Sequence, residues 1–337
     1  MVGYALSRLA QCGLVIGGVL VTVFVILNLT GDPASLLLPP SASQQDVAVI
    51  RHRYGLDRPL PVQLLRFLVG DTGSRAPQQT TIGLAGYGTG AVQSKVPRSR
   101  GAILGDFGNS IRFTDQPAMP IVLQRFPYTV RLMLAAALYS TVLSLILGII
   151  SAVRPYSLLD QAVRTFAVLN QSVPNFWLGL LLILVFAVML GWLPSMGYGS
   201  WRDVILPAIT LGSQSLGRNT RLVRSSMLDV LSQDYIRSAR AKGLPERIVV
   251  ARHVLKNVMI PVVTIWGLDV GSLFGGAVVT ESIFGWPGLG RLIVESVSFR
   301  DFPTVSAAVV FIAAVFVLIN MAVDLSYMWL DPRVKLG

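Results

Sequence analysis

Residues 234–262 read DYIRSARAKGLPERIVVARHVLKNVMIPV, a basic, helix-prone stretch set between apolar runs. Arg237, Arg240, Lys242, Arg247, Arg252 and Lys256 stand there against Asp234 and Glu246. The pattern predicts a short helix over 235–242 that stops at Gly243, because glycine tolerates the left-handed turn at a helix C-terminus. Leu244-Pro245 then prevents continuation, and a second helix begins. The product is an elbow of two short helices with a fixed bend. Positive charge holds it at a membrane surface, where it is suited to pushing on, or being pushed by, a soluble partner.

Outward from the elbow the chain is apolar. Of 337 residues, 53% are hydrophobic and 13% are charged, about half the roughly 25% charge of soluble domains. The fold class is therefore an all-α integral membrane protein. The formal net charge is +11. In a membrane protein such an excess gathers in cytoplasmic loops against anionic headgroups of the lipid bilayer. No motif with interleaved aromatics accompanies it, so nucleic acid is not an expected partner. The single cysteine, Cys12, cannot form an internal disulfide and reads as a buried structural thiol.

The apolar run 9–30 has about the 20 residues that span a bilayer, more than the 7–15 or so of a signal peptide, and reads as a retained first span. Residues 132–153, 166–190 and 304–328 are three clear further spans. Two weaker ones are 204–217, diluted with polar residues, and 260–284, rich in glycine. Charge decides between four and six. Arg8 places the N-terminus in the cytoplasm, and the loop 154–164 then also lies inside; Trp192, Tyr198 and Trp201 mark the outer interface. The elbow must lie inside, so a fourth span is required before Arg218, and the last two spans return Arg333 and Lys335 to the cytoplasm. Six transmembrane helices are expected, with both termini cytoplasmic. Arg218, Arg221 and Arg224 recur at helical spacing, so the fourth helix continues out of the bilayer in one piece with its arginines snorkelling to headgroups.

The resulting division is a cytoplasmic N-terminus and first helix over 1–30, a large extracytoplasmic segment over 31–127, a five-helix core over 128–330 with a cytoplasmic loop at 229–260, and a cytoplasmic tail over 331–337. Within the second part, 44–54 reads as a short helix bounded by Ser43 and Gly55, and 62–69 as another. Residues 71–105, rich in Gly, Ser, Thr and Gln, read as a mobile loop, with a lid or docking surface as the alternative. No internal or inverted repeat is visible.

The chemistry is sparse. There is no GxxxxGK[ST], HExxH or GxSxG. His52 and His253 lack partners at metal-ligand spacing. No catalytic residue, metal or cofactor is expected in this chain. Asp269 is the prominent ionisable residue within a span; such groups face a partner helix or an aqueous path. Gly267, Gly271 and Gly275 share a helix face suited to close packing, and Asp269 lies two positions off it. Asp269 either lines a path or makes a buried structural hydrogen bond. Asn170, Gln171, Ser172 and Asn175, around Pro174, bring polar groups into the third span, where they satisfy the carbonyl that proline frees. Helix packing is the preferred role, with solute contact by Asn170 and Asn175 the alternative. Asp324 and Asp331 are expected to pair with inner-surface arginines.

The elbow resembles the EAA loop of binding-protein-dependent ABC importer permeases. Gly243 fills the glycine slot, but Arg237, Ser238 and Ala239 stand where the general pattern has EAA. The match is better to the dipeptide and oligopeptide branch, which looks like R-x-A-R-A-K-G-L-P…R-H-x-L-K/R-N/P…P. Arg237, Ala239 to Pro245, Arg252, His253, Leu255, Lys256, Asn257 and Pro261 sit on that version. Gly31-Asp32-Pro33, residues 54–63 (YGLDRPLPVQ), 105–110 (GDFGNS), 281–290 (ESIFGWPGLG) and 331–333 (DPR) are similar to further segments of the family, in the same order. Residues 71–100 look like an insertion.

The resemblance implies a type I ABC importer permease in a bacterial cytoplasmic membrane. Such a subunit pairs with a second, related permease. Two ATP-binding subunits, which hold the ATP and magnesium, dock on the elbow through Arg237, Ser238, Ala239, Arg240, Ala241, Lys242, Gly243, Leu244 and Pro245. An extracytoplasmic substrate-binding protein delivers peptide. The small Ala239, Ala241 and Gly243 would let the elbow enter a groove on the ATPase, with Arg240 and Lys242 meeting acidic groups there. Nickel, glutathione or another small solute in place of peptide is the alternative within the family. Outside it, the rivals are an ion-coupled secondary transporter with Asp269 as proton carrier, and a scaffold that moves nothing.

Overall fold

The computed structural model describes residues 2–30, 44, 48, 51–52, 57–70, 100–110, 112–113 and 116–330, without the side chains of 2–9, 27–30, 260, 261, 264, 268, 270 and 323–330. Among these residues the secondary structure is helical, apart from one isolated bridge between Asn109 and Pro117. The chain divides into two compact units, Met1–Gln124 with Glu295–Ala313, and Arg125–Val294 with Ala314–Gly337.

In the first unit, α1 (Val2–Thr30) is one continuous helix, as its apolar run requires. Helix α2 (Leu60–Val69) starts two residues earlier than the hydrophobic pattern suggests. Pro59 stands before it and Pro61 in its first turn, where a missing N–H costs nothing. Phe24, Phe67 and Phe107 pack in sequence, the first pair tilted and the second edge-to-face, with ring centroids 5.8 and 6.3 Å apart. Gly101 lies so close to the backbone of Leu68, Val69 and Gly70 that no side chain would fit. Asp106 organises the GDFGNS loop by accepting from the N–H groups of Arg100 (2.6 Å) and Gly108 (3.1 Å). Ser110 at its end donates to the buried Asp301, which also accepts from Thr304 (2.7 Å) beside the start of α10 (Phe302–Leu330). Arg112 pairs with Glu295 at 2.6 Å and lies 4.6 Å over the Phe299 ring. Of the helix expected over 44–54, Gln44, Ala48, Arg51 and His52 are described and all are helical. Residues 71–99 and 331–337, with most of the expected insertion, Asp331, Arg333 and Lys335, lie outside the described residues, as does the Asp324 side chain; of the loop expected over 71–105, residues 100–105 are described and hold a 3₁₀ turn, Ala102–Leu104, with Ala102 buried.

The second unit is a helical bundle. Helix α3 (Ala118–Val153) enters it at Arg125 and, at 36 residues, is about 54 Å long, well over the roughly 30 Å bilayer core. Leu134, Leu138, Val142, Ile146 and Ile150, each four apart, leave an exposed apolar stripe along it. A stripe of this kind belongs against lipid or another protein. Two of its buried hydroxyls are satisfied locally, Ser140 and Ser144 donating to the carbonyls of Ala137 and Thr141 at 3.1 and 3.0 Å, while Thr129 and Ser151 donate to the carboxylates of Glu281 and Asp160.

The expected third span is not one helix. Helix α4 (Leu158–Ser172) and α5 (Asn175–Leu182, continued by a π turn Ile183–Met189) meet at 105° across Val173-Pro174. The expectation of one helix with Pro174 tolerated inside it is corrected here. Proline's Cδ disfavours helical geometry for the residue before it, and Val173 is extended at φ −83°, ψ 125°.

Helix α6 (Ile205–Leu231) follows a 3₁₀ turn over Trp201–Val204 and runs as one piece through the polar-diluted region. Its buried Thr210, Ser213 and Thr220 return their hydroxyls to Leu206, Thr210 and Leu216 carbonyls at 2.8–2.9 Å. Side chains that a hydropathy scan counts as polar therefore lie satisfied in the interior. Gly212 and Gly217 let α6 touch the backbones of α3 and α4: a Cβ on them would meet the carbonyls of Ala136 and Ala167. After the elbow, α8 (Leu255–Ile283) packs beside α6, and α9 (Leu289–Ser298) leads back to the first unit.

By length and composition, α3 and Phe302–Ala322 of α10 are long and apolar enough to cross a membrane, and α4 with α5 makes a third if the bent pair is one span.

Candidate functional site: an anchored elbow below a polar cavity

Helix α7 (Asp234–Ala241) is the first arm of the elbow. Lys242 closes it, Gly243 takes the left-handed φ of +77°, and Pro245 opens the next helical turn, Glu246–Ile248. The second arm is not a separate short helix: it passes through a π turn, Val249–Val254, straight into α8. The arm is amphipathic. Ile236 and Ala239 are buried against Val223, Met227, Val249, Val254 and Val258. Arg237, Ser238, Arg240, Ala241, Lys242, Gly243, Leu244 and Pro245 are exposed. A Cβ on Gly243 would meet nothing within 4 Å.

Two details differ from the sequence reading. Ala239 is turned into the chain's own core, so the outward small residues are Ala241 and Gly243. Arg240 already has a carboxylate, donating to Glu246 through Nε at 3.1 Å and Nη2 at 2.7 Å. That bidentate pair bridges the two arms and holds the Glu246 carboxyl below its usual range, the hydrogen bond outweighing desolvation. Asn257 adds a second tie, donating to the Tyr235 hydroxyl at 2.7 Å.

Above the elbow, α4, α5, α6 and α8 enclose a cavity of about 280 Å³. Gln171, Asn175, Gln214, Ser215, Arg218 and Ser272 supply its polar wall, and Leu211, Leu273 and Gly276 the rest. The break at Pro174 is what turns Asn175 into it, at the first position of α5. The Asn175 and Asn170 Oδ1 atoms are buried and accept no hydrogen bond from the protein; Asn170 does not line the cavity.

Asp269 is buried, at 8% exposure. One carboxylate oxygen accepts from Arg218 and the other from Asn219 Nδ2 at 2.9 Å. It stands behind the cavity wall rather than in it. Each of the three α6 arginines expected to snorkel has a protein partner: Arg218 pairs with Asp269, Arg221 donates to the Gln171 side-chain Oε1, and Arg224 binds the fully buried Asp160 through Nε and Nη2, both at 2.7 Å. Of the three glycines on α8, Gly271 abuts the Phe316 ring of α10, Gly275 meets nothing within 4 Å, and Gly267 is half-buried.

A buried carboxylate in the ESIFGWPGLG segment was not singled out from sequence. Glu281 accepts from Thr129 Oγ1 at 2.7 Å and from the Arg291 N–H at 3.1 Å, while Thr129 accepts from the Leu289 N–H at 2.8 Å. It thus satisfies open N–H groups in the first turn of α9. Gly288 is pressed directly on that carboxylate and has no room for a side chain. An acid six residues before the Pro-Gly-x-Gly that opens a helix was the available signal.

The family described as binding-protein-dependent transport system inner membrane component matches residues 144–336. The protein described as glutathione transport system permease protein GsiC of Salmonella paratyphi A is 40% identical over 337 residues, covering 99% of each chain. Its namesake in Escherichia coli K12 is 39% identical over the same length and coverage. Among solved structures, a chain of the MetNI methionine ABC transporter in an inward-facing conformation superposes with a TM-score of 0.54 at 18% identity, covering 63% of this chain and 97% of that one. That likeness concerns the fold.

Proposed function

The chain belongs to the family of binding-protein-dependent transport system inner membrane components and is a permease subunit of an ABC importer, and on that premise we propose that it forms half of a translocation pathway for small peptide-like solutes. The observation that carries this reading is continuity. The elbow hangs between α6 and α8, and the same two helices supply Gln214, Arg218, Ser272 and Gly276 to the polar cavity. A push on the elbow therefore moves two walls of the cavity.

In this reading the exposed residues Arg237, Lys242, Leu244 and Pro245 meet an ATP-binding subunit on the cytoplasmic side, and Ala241 and Gly243 give the clearance. Arg240 keeps the two arms at a fixed angle through Glu246. The six spans are α1, α3, the bent pair α4–α5, α6, α8 and α10. A second permease completes the path, two ATPases bind the nucleotide, and an extracytoplasmic receptor delivers the cargo. Asp269, clamped by Arg218 and Asn219, suits a structural pair better than a proton carrier. Relatives named for glutathione transport make that tripeptide the first cargo to test, and dipeptides the second.

The test is uptake into proteoliposomes holding both permeases and both ATPases, with the receptor added outside. Uptake of glutathione or of a dipeptide is expected to require ATP and receptor together. Uptake driven by an ion gradient without ATP would overturn the reading.

A further inference from the structure

The cavity has a charged group whose use the bundle leaves incomplete. Arg218 spends one N–H on Asp269, and its side chain stays 46% exposed along the cavity wall. Guanidinium carries five donors in a planar fork that matches a carboxylate. Asp269 is in turn fixed by Asn219, so the guanidinium is held rather than free to swing. Arg218 lines the cavity and Arg221 is bonded to Gln171 of its wall, against the one carboxylate of Asp269 behind Arg218. The rest of the wall is amide and hydroxyl, with Leu211, Leu273 and Gly276 apolar. The Gln171 carbonyl is occupied by Arg221, which leaves its NH₂ as a donor, and the Asn175 Oδ1 is a buried acceptor without a protein donor.

We propose that Arg218, positioned by Asp269 and Asn219, binds a carboxylate of the transported solute. The cavity is thus an anion-selective station for peptide-like acids, set within one chain's share of the pathway. This inference rests on the transport reading and adds to it the chemical group that is recognised. Loss of a charge-assisted hydrogen bond of this kind weakens binding about tenfold. An amidated solute is therefore the discriminating probe.

The test reads occupancy separately from transport. Gln214→Cys is introduced beside Arg218 in a Cys12→Ser background, and the full complex in membranes is labelled with a maleimide. Dialanine, which has no thiol and a single carboxylate, is supplied as the free acid and as its C-terminal amide. The free acid is expected to slow labelling at about tenfold lower concentration than the amide. Arg218→Gln is expected to erase that difference, and so is Arg218→Gln with Asp269→Asn, which removes both charges and leaves no unpaired buried carboxylate. Equal protection by acid and amide, or a preference that survives in the double variant, overturns the proposal. Protection without any ATP-dependent uptake leaves Arg218 in its role and sinks the transport reading instead.

Discussion

Glu246 and Arg240 are both partly exposed, at 47% and 42% of their side chains, so their bond is worth little in stability and much in geometry. Its pH dependence has a definite sign. The folded state depresses the Glu246 pKa below the ordinary value of 4.5. The contribution is therefore complete above that pH and lost as acid titrates the folded carboxylate. The small difference in thermal midpoint between the wild type and Glu246→Gln is expected to be constant from neutrality to pH 5 and to vanish below the ordinary glutamate range. A difference that grows in acid would contradict the assignment. Asp160 is the opposite case. It is fully buried, accepts two bonds from Arg224 and one from the Tyr156 N–H at 2.9 Å, and has no route to water. Asp160→Asn leaves the arginine unpaired and is expected to destabilise the bundle by about 3–5 kcal/mol, read as an early melt in detergent. Residues of this kind were hard to read from sequence. Asp269 could be recognised as needing a partner, but its partner is 51 positions away on α6, and only the mutual rotation of two helices decides whether an arginine snorkels or pairs.

At the scale of elements, the punctuation was legible and the continuations were not. Gly243 and Pro245 placed the elbow correctly because φ > 0 and a missing N–H are local demands. The first arm ends where expected. The second arm runs on into α8 because nothing after Glu246 stops it. At Val173-Pro174 the same local rule marks a helix boundary, although the apolar run 166–190 continues across it. The hydroxyl-rich α6 was weak by hydropathy because its Ser and Thr bonds to the preceding turn are invisible to composition. The elbow gives a clean test. Gly243→Ala and Gly243→Leu impose the same left-handed strain, about 1–2 kcal/mol, but only leucine fills the open space beyond the turn. Both variants are expected to insert and assemble with similar thermal midpoints. Receptor-stimulated ATP hydrolysis is expected to persist in the alanine variant and fall at least tenfold in the leucine one. Equal activity in both would show that nothing docks there.

For the whole molecule, the proposed coupling requires the elbow to face the nucleotide side. Cys12 is the only cysteine, so Cys12→Ser provides a thiol-free background. Ser238 is exposed on α7 and its hydroxyl bonds only the Asp234 carbonyl, at 3.0 Å, so Ser238→Cys is a mild change. An impermeant maleimide is expected to label it in inside-out vesicles and not in intact cells. Labelling of intact cells would remove the elbow from the nucleotide side and with it the coupling scheme. One feature bears on how such a scheme runs. The stretch Val249–Val254 closes i→i+5 rings between the elbow and α8, a wider and rarer coil than its neighbours, of the type at which helices bend. In the proposed coupling, force from the nucleotide side would meet this compliant joint before the stiff rod of α8. The joint would then act as strain relief at the point where the lever is clamped to the shaft.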